Sequence, residues 1–516
     1  MKVQKERFML IVPSGTSPEG VDVRNHVPLG SISVLAELHQ AGYDVKLLDC
    51  VGESRKNNYE NPSKPYFTDE FVEDQFFRKT GLITDEVRDQ IRLFMPDVIG
   101  ISCLTLVDRA ETKKIVRNIK KDFPNIPIIL GGHEASQSFS EILGFSPYEI
   151  ETIPGIDYVV VGPGQPTIVK LMEYLNGRFP KEKLEGVAFV EEGKLQFSAP
   201  FKPFNPNRYA LPDYGLLPKV EILGRDKPID IYSLVGNTHA GDIHRILQLS
   251  NDQIISYMAL LTSYGCGYHC TFCDNEPVLS RYAPHNVLGM IHNVDKMYGI
   301  DYIDFMDNNF GGKSPESRQV ALDILKQLEG KGYSFGFSNG LTFESMFRND
   351  FELLKAIKKA GTLRHIAFPI ENGNDRVLRA VKKPHDLAMV EKTLKFFNEL
   401  FRDEPVNKEA FFIGGFPETG GQSAETPEEV NRTCILMEEY LKRGWLDQAI
   451  FLTLSPVTKE YRKIWRAKHP NGPFEKALFS RGTDLWPYDP SILRDIHERV
   501  REINKLYGKS SVTRRL

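Results

Sequence analysis

This 516-residue sequence has no marked excess of either charge: lysine and arginine number 65, aspartate and glutamate 69, for a formal net charge of -4. Without a basic surplus to neutralise phosphates, nucleic acid is not the expected partner. No apolar run approaches the roughly 20 residues that span a bilayer. The opening stretch MKVQKERFMLIVPSG carries a short apolar run that stops at Pro13, too short for a signal peptide. A cytoplasmic location with no membrane partner is expected. Cysteine is scarce, six in all, which argues against a disulfide framework. No internal repeat or low-complexity tract occurs. No G-x-G-x-x-G links the first apolar run to the first helical stretch, which disfavours a nicotinamide or flavin dinucleotide.

The apolar content of 41% and charged content of 26% are globular values. At this length two or three domains are expected. Short apolar runs at 7–13, 44–50, 97–103, 126–132 and 157–162 alternate with helical stretches, so residues 1–185 read as a doubly wound, Rossmann-like α/β domain. The polar insert around 52–82 reads as a loop excursion. Residues 186–255 are proline-rich without a clear period and read as a linker. A second series of strand–helix units fills 256–460 and reads as a partial (β/α)6 barrel. Residues 461–516 read as a small helical cap.

Half of the cysteines fall in one short stretch, Y264-GCGYHCTFCDN, directly after the first barrel strand. Parallel barrels place chemistry on such loops, at the C-terminal ends of their strands. Cys266, Cys270 and Cys273, spaced C-x-x-x-C-x-x-C, can ligate three irons of a 4Fe–4S cluster and leave the fourth open. A zinc site completed by His269 or His285 is the competing reading, although structural zinc usually takes two separated ligand pairs. Three buried structural cysteines are a third. Cys50, Cys103 and Cys434 read as packed core thiols.

The cysteine loop resembles the cluster motif of the radical SAM superfamily, with Phe272 at its usual aromatic position. Barrel strand ends line up with it: Asp307-Asn308-Asn309, Ser338-Asn339, Glu371-Asn372-Gly373 with asparagine where serine is common, Gly414-Gly415-Phe416-Pro417, and Ser455-Pro456. The resemblance implies S-adenosylmethionine on the open iron and its cleavage to a 5′-deoxyadenosyl radical. It also implies that Phe272, Asp307, Asn308, Ser338, Glu371, Gly414, Gly415 and Ser455 bind cofactor. From the residues alone, any one of them also reads as a loop cap.

In the N-terminal domain the strand ends are small or polar: Ser14, Ser102 followed by Leu104, Thr105 and Val107, Gly131-Gly132-His133-Glu134, and Gly162-Pro163-Gly164-Gln165. Leu29 and Gly30 open the first helix. Small residues there let a flat, bulky ligand approach the backbone. The set resembles the cobalamin-binding domain of cobalamin-dependent radical SAM enzymes, which implies that these residues line cobalamin. Gly162-Pro163-Gly164-Gln165 lacks the two acidic residues of the family's turn. The Asp-x-His-x-x-Gly string that supplies an axial histidine elsewhere is absent; Asp242-Ile243-His244 lacks the glycine. The resemblance therefore implies cobalamin held without a histidine from that motif, with Leu104, Thr105 and Val107 facing its lower side. Ala210–Pro218 is similar to the family's connecting segment.

The segments PIENGNDRVLRAVKKP, FFIGGFPETGG and TPEEVNRTCILMEEY resemble the phosphonate (fosfomycin-type) C-methylases. That resemblance implies a cobalamin-dependent methyltransferase acting on an unactivated sp3 carbon. One S-adenosylmethionine would methylate the corrin and a second would supply the radical. The substrate would be a small molecule, with a phosphonate-like or natural-product intermediate as candidate. A one-electron donor of flavodoxin or ferredoxin type would serve the cluster. Arg281, Arg364, Arg376, Lys382 and Lys383 are available cations for a phosphonate, or else a solvated basic face. The alternatives are a cyclisation or rearrangement by the same cofactors, and a non-catalytic cobalamin and iron–sulfur sensor. A methylthiotransferase would need a second cysteine trio in the first domain, where only Cys50 and Cys103 occur.

Overall fold

The computed structural model describes residues 5–18, 27–65, 67–72, 75–106, 108–146, 152–198, 204–222, 226–235, 256–419, 421–454, 458–470, 472 and 485–509. Val107, Ser455 and the Asp242–His244 string lie outside them. The chain forms two compact units, the first made of residues 1–238 together with 293–298 and the second of nearly all the remainder.

The first unit is built on β1 (Arg7–Val12), β2 (Asp44–Asp49), β3 (Val98–Ser102), β4 (Ile128–Gly131), β5 (Tyr158–Val160), β6 (Val187–Glu191) and β7 (Lys194–Phe197). The sheet order is β7-β6-β5-β4-β3-β1-β2. β1 to β5 pair in parallel. A parallel strand buried on both faces reads as a continuous apolar run, and Phe8 to Val12 in β1 are all buried. The order reverses between β1 and β3, which makes a topological switch point where such sheets bind ligands.

The structure revises two sequence expectations in this unit. Residues 50–80 are not a loop: Asp49 caps a helix at Cys50–Glu60 by accepting from the Gly52 N–H at 3.2 Å, and Phe67–Val72 and Gln75–Thr80 pair as antiparallel strands. The start of the expected linker is also structured. β6 and β7 extend the sheet antiparallel, joined by Glu192 (φ 49°) and Gly193 (φ 71°). Two residues with positive φ are what the tightest hairpins require, so V187-AFVEEGKLQF carried a hairpin signal beneath its charge.

The second unit holds β8 (Tyr257–Leu260), β9 (Tyr302–Phe305), β10 (Ser334–Phe337), β11 (Thr362–Glu371), β12 (Asn407–Gly414) and β13 (Gln448–Thr453). They form one sheet in sequence order, every pair parallel. This is the six-stranded partial barrel the sequence predicts. Helices lie between the strands, and four of their starts are marked by a side-chain cap: Ser314, Thr342, Asp386, and Thr426 with Glu429 in a reciprocal capping box. The C-terminal helix Pro490–Tyr507 is clipped to β13 by Asn504, which accepts from the Ala449 N–H at 2.9 Å and donates to the Ala449 carbonyl at 2.7 Å. No helix among the described residues is long and apolar enough to cross a membrane.

Candidate functional site

β8 delivers the cysteine loop. Cys266, Cys270 and Cys273 are part-buried free thiols, whereas Cys50, Cys103 and Cys434 are buried, as expected of core thiols. Gly265 (φ 78°) and Gly267 (φ 88°) bracket Cys266. A Cβ at Gly265 would lie 2.0 Å from the Val278 carbonyl oxygen, so only glycine fits. The Cys266 N–H donates to the Glu276 carbonyl at 2.9 Å, and the Thr271 N–H to the Val381 carbonyl at 3.1 Å. Asn275 Nδ2 donates to Cys273 Sγ at 3.2 Å, a hydrogen bond of the kind that tunes cluster sulfurs. Burial raises all three thiol pKa values, Cys270 to about 11, against the pull of Lys383.

Among the described residues no three His, Cys, Asp or Glu side chains converge on one ion. His269 and His285, the candidate fourth zinc ligands, are exposed. A closed mononuclear zinc site therefore finds no support. Thiols that each hold a different iron of a cluster need not converge, and this half-exposed loop beside a buried cation fits such a cluster.

The expected cofactor residues divide into those that support the loop and those that face outward. Asp307 is buried; its carboxylate accepts from the Thr262 N–H, Thr262 Oγ1 and Ser263 Oγ, and so ties β9 to the root of the cysteine loop. Ser338 is buried and donates to Asp304 Oδ2 at 2.6 Å, with Tyr257 on the same oxygen at 3.0 Å. Asn308 is exposed and donates to Asn275 Oδ1 at 3.1 Å. Asn309 is buried and donates to the Cys266 carbonyl at 2.7 Å. Phe272 packs edge-on against Phe416 at 5.7 Å, with Lys383 Nζ 5.6 Å from its ring centre.

Glu371 ends β11 with φ 68°, a strained value for a side-chain-bearing residue. Its Oε1 lies 2.7 Å from Lys383 Nζ, and both side chains are 9% exposed. Burial alone would lower the lysine pKa; Glu371 and the Cys270 thiol outweigh it and hold the pKa above its ordinary value.

Of the cations proposed for a phosphonate, four are placed elsewhere. Lys383 serves Glu371. Arg281 donates to the Asn309 and Phe310 carbonyls. Arg376 pairs with Glu429. Arg364 lies at the N-terminal end of β11, opposite to the cysteine loop. Lys382 is exposed.

The sequence reading missed Glu425. It is 1% exposed, and its carboxylate accepts from the Gly415 N–H at 2.8 Å, the Phe416 N–H at 3.2 Å and Asn372 Nδ2 at 2.7 Å. It therefore fixes the Gly414-Gly415 turn against the end of β11. Burial pushes its pKa up from 4.5 to about 7. A carboxyl with a raised folded pKa binds its proton more tightly when folded. The stability this contributes is complete below about pH 4.5 and is lost as the pH rises through about 7. At 1.4 kcal/mol per unit, the decline is about 3 kcal/mol. Glu425→Gln cannot ionise and is expected to flatten it, read as urea midpoints at about pH 5 and about pH 8. Equal slopes in the two proteins would show that the carboxyl titrates normally.

In the first unit the ends of β1, β3, β4 and β5 share one edge of the sheet. Gly132 (φ 108°) would place a Cβ 2.4 Å from the Cys103 carbonyl oxygen, so only glycine at this position lets the β3 and β4 loops approach so closely. Leu104 is 49% exposed, an apolar side chain at the switch point. The N–H groups of Leu104 and Thr105 donate to Asp108 Oδ2 at 3.0 and 2.8 Å, which fixes their loop. Ser136 Oγ accepts from the Gly162 N–H at 3.0 Å and joins the β5 loop to the helix after β4. Ser102, Gly131, His133, Gly162 and Gly164 are part-exposed along this edge, as is Leu29, and Gly30 is exposed.

Three of the expected cobalamin contacts are buried. Ser14 is buried and donates to the Leu82 carbonyl at 2.9 Å. Glu134 is buried against Arg109 Nε at 2.8 Å. Gln165 is 5% exposed at the start of its helix. Short polar side chains beside glycine turns find donors or carbonyls on neighbouring loops, which sequence does not reveal.

A doubly wound sheet with an open switch point, followed by a parallel barrel with a cysteine trio at its first strand end, defines a two-module cofactor protein. The family models agree: "B12 binding domain" matches residues 23–172 and "Radical SAM superfamily" matches 260–426. The chain belongs to the cobalamin-dependent radical SAM enzymes, whose cofactors are a 4Fe–4S cluster, S-adenosylmethionine and cobalamin. The cytidylyl-2-hydroxyethylphosphonate methyltransferase of Streptomyces wedmorensis is 25% identical over 464 residues, 88% of this chain and 80% of that protein. The radical S-adenosylmethionine methyltransferase TsrM from Kitasatospora setae shares the fold at TM-score 0.60 and 14% identity, over 89% of this chain and 76% of its own. The cobalamin-dependent S-adenosylmethionine radical enzyme OxsB does so at TM-score 0.59 and 14% identity, over 97% of this chain and 62% of its own.

Proposed function

We propose that the chain is a cobalamin-dependent radical SAM methyltransferase that places a methyl group on an unactivated sp3 carbon of a small molecule. The observation that carries this reading is the cysteine loop at the first barrel strand of a chain whose other module is a B12-binding sheet. The similarity to a phosphonate methyltransferase over 88% of the chain supports methyl transfer and makes a phosphonate-like intermediate the first substrate class to test.

When bound, the cofactors supply radical hydrogen abstraction and a transferable methyl group. The chain supplies the geometry. Cys266, Cys270 and Cys273 would hold the cluster, and Asn275 donates to one of its sulfurs. Asp307 and Asn309 brace the cysteine loop from β9. Glu425 and Asn372 fix the glycine turn at the end of β12. The exposed Leu104 and the glycine turns of the first unit would form the apolar floor for the corrin. A flavodoxin- or ferredoxin-like donor would supply electrons.

The test uses anaerobically reconstituted protein, a strong reductant, and S-adenosylmethionine labelled in its methyl group, with a panel of phosphonates and other small acceptors. Label in a carbon-methylated product, with S-adenosylhomocysteine and 5′-deoxyadenosine both released, is expected. Deoxyadenosine with a rearranged or cyclised product and no label transfer would replace methylation by the alternative chemistry.

A further inference from the structure

Tyr268 lies between Cys266 and Cys270, in a stretch that two left-handed glycines leave free by sequence. Its side chain leaves the loop and closes a ring of four contacts. The Tyr268 hydroxyl donates to Glu344 Oε2. Glu344 Oε1 pairs with Arg348 Nη2. Arg348 Nη1 donates to the Lys313 carbonyl at 2.8 Å. Lys313 Nζ returns to lie 5.3 Å from the centre of the Tyr268 ring. Glu344 is in the first turn after β10, and Lys313 follows β9. Two further β/α units thus hold the middle of the cysteine loop.

The geometry around Arg348 is unusual. Its ψ of 151° ends the first helical stretch of Phe343–Ala360, and Asn349, Asp350 and Phe351 follow with φ of 50°, 53° and 60°. Three successive left-handed residues without a glycine are disfavoured, since glycine is the routine occupant of that region. Packing holds the turn: Phe351 stacks on Phe396 at 4.1 Å and meets Phe347 edge-on at 5.4 Å. The break directs the Arg348 guanidinium to Glu344 and to the Lys313 carbonyl together.

We propose that Tyr268, Glu344 and Arg348 are positioning residues for the cluster, which fix the Cys266–Cys270 segment so that both thiols meet their irons. This rests on the reading of the three cysteines as cluster ligands. A loop held only by its backbone bonds would open more often and expose iron to exchange. The phenol–carboxylate link is a hydrogen bond to a charged group, so its loss should change that opening by about tenfold or more.

The test measures iron release to a ferrous chelator, together with the reduction potential and electron paramagnetic resonance of the reduced cluster with S-adenosylmethionine. Wild type, Tyr268→Phe, Glu344→Ala and the double variant are compared after anaerobic reconstitution. Tyr268→Phe keeps the ring under Lys313 and removes only the hydroxyl. Each single variant is expected to load iron as wild type does, to release it about tenfold faster, and to show an altered spectrum and a shifted potential. The double variant should be no worse than either single, because both cut the same link. Glu344→Gln, which keeps an acceptor for Tyr268, should recover much of the wild-type rate. Wild-type release by Tyr268→Phe, or multiplying effects in the double variant, would overturn the proposal. Failure of the wild type itself to load iron would instead remove the cluster reading. Melting curves and corrin content detect misfolding; should Glu344→Ala not fold, Glu344→Gln and Tyr268→Phe still decide.

Discussion

Replacing Cys270 by alanine is expected to abolish 5′-deoxyadenosine release from S-adenosylmethionine while leaving corrin binding intact. Two thiols, Cys266 and Cys273, would remain for a cluster that needs three from this loop, so iron should fall from about four per chain to a small remainder. The corrin should stay because its sheet belongs to the other compact unit and Cys270 contributes nothing to that core. Cys103→Ala is the matched control: Cys103 is 0% exposed and packed in that core, so its loss should lower stability modestly and leave iron and deoxyadenosine release unchanged. Metal analysis and product chromatography give both numbers. Full release from Cys270→Ala would show that its thiol is not a ligand, and zinc in place of iron would reject the cluster.

Lys383→Met is expected to destabilise the second unit by about 3–5 kcal/mol, the usual cost of stranding one member of a buried ion pair. Glu371 would keep its charge at 9% side-chain exposure with its partner removed, on a residue already held at φ 68°. The cationic neighbour of the cysteine loop would vanish as well, since Lys383 also lies over Phe272. Lys383→Met with Glu371→Gln removes both charges and should regain most of the lost stability, because replacing a buried pair by neutral groups costs far less than breaking it. Urea midpoints of the three proteins measure this. A single variant as stable as the wild type would mean that water reaches Glu371 and that the pair is a surface contact.

The location of the cysteine trio, the six parallel strands in sequence order and the doubly wound first module were all legible in the sequence. Each rests on local signals: thiol spacing, short apolar runs and helix caps. The hairpin of β6 and β7 was hidden because its charged residues masked the two-residue turn at Glu192-Gly193. The roles of strand-end side chains were not legible. Asp307, Ser338, Ser14 and Glu134 have the residue types that bind cofactors, yet the fold turns each toward a partner of its own.

By itself the sequence determined which chemistry this chain carries, because three thiols four and three residues apart on one loop admit few uses. Only the tertiary structure decided what holds that chemistry in place. Asn372 and Glu425 meet across 53 residues, and Tyr268 and Glu344 across 76. Such partners come together only when parallel strands bring their C-terminal ends to one rim, and no local pattern in the chain records which polar side chain will meet which. A buried carboxylate must find donors wherever the fold supplies them, so its role is set by its neighbours in space rather than by its neighbours in sequence.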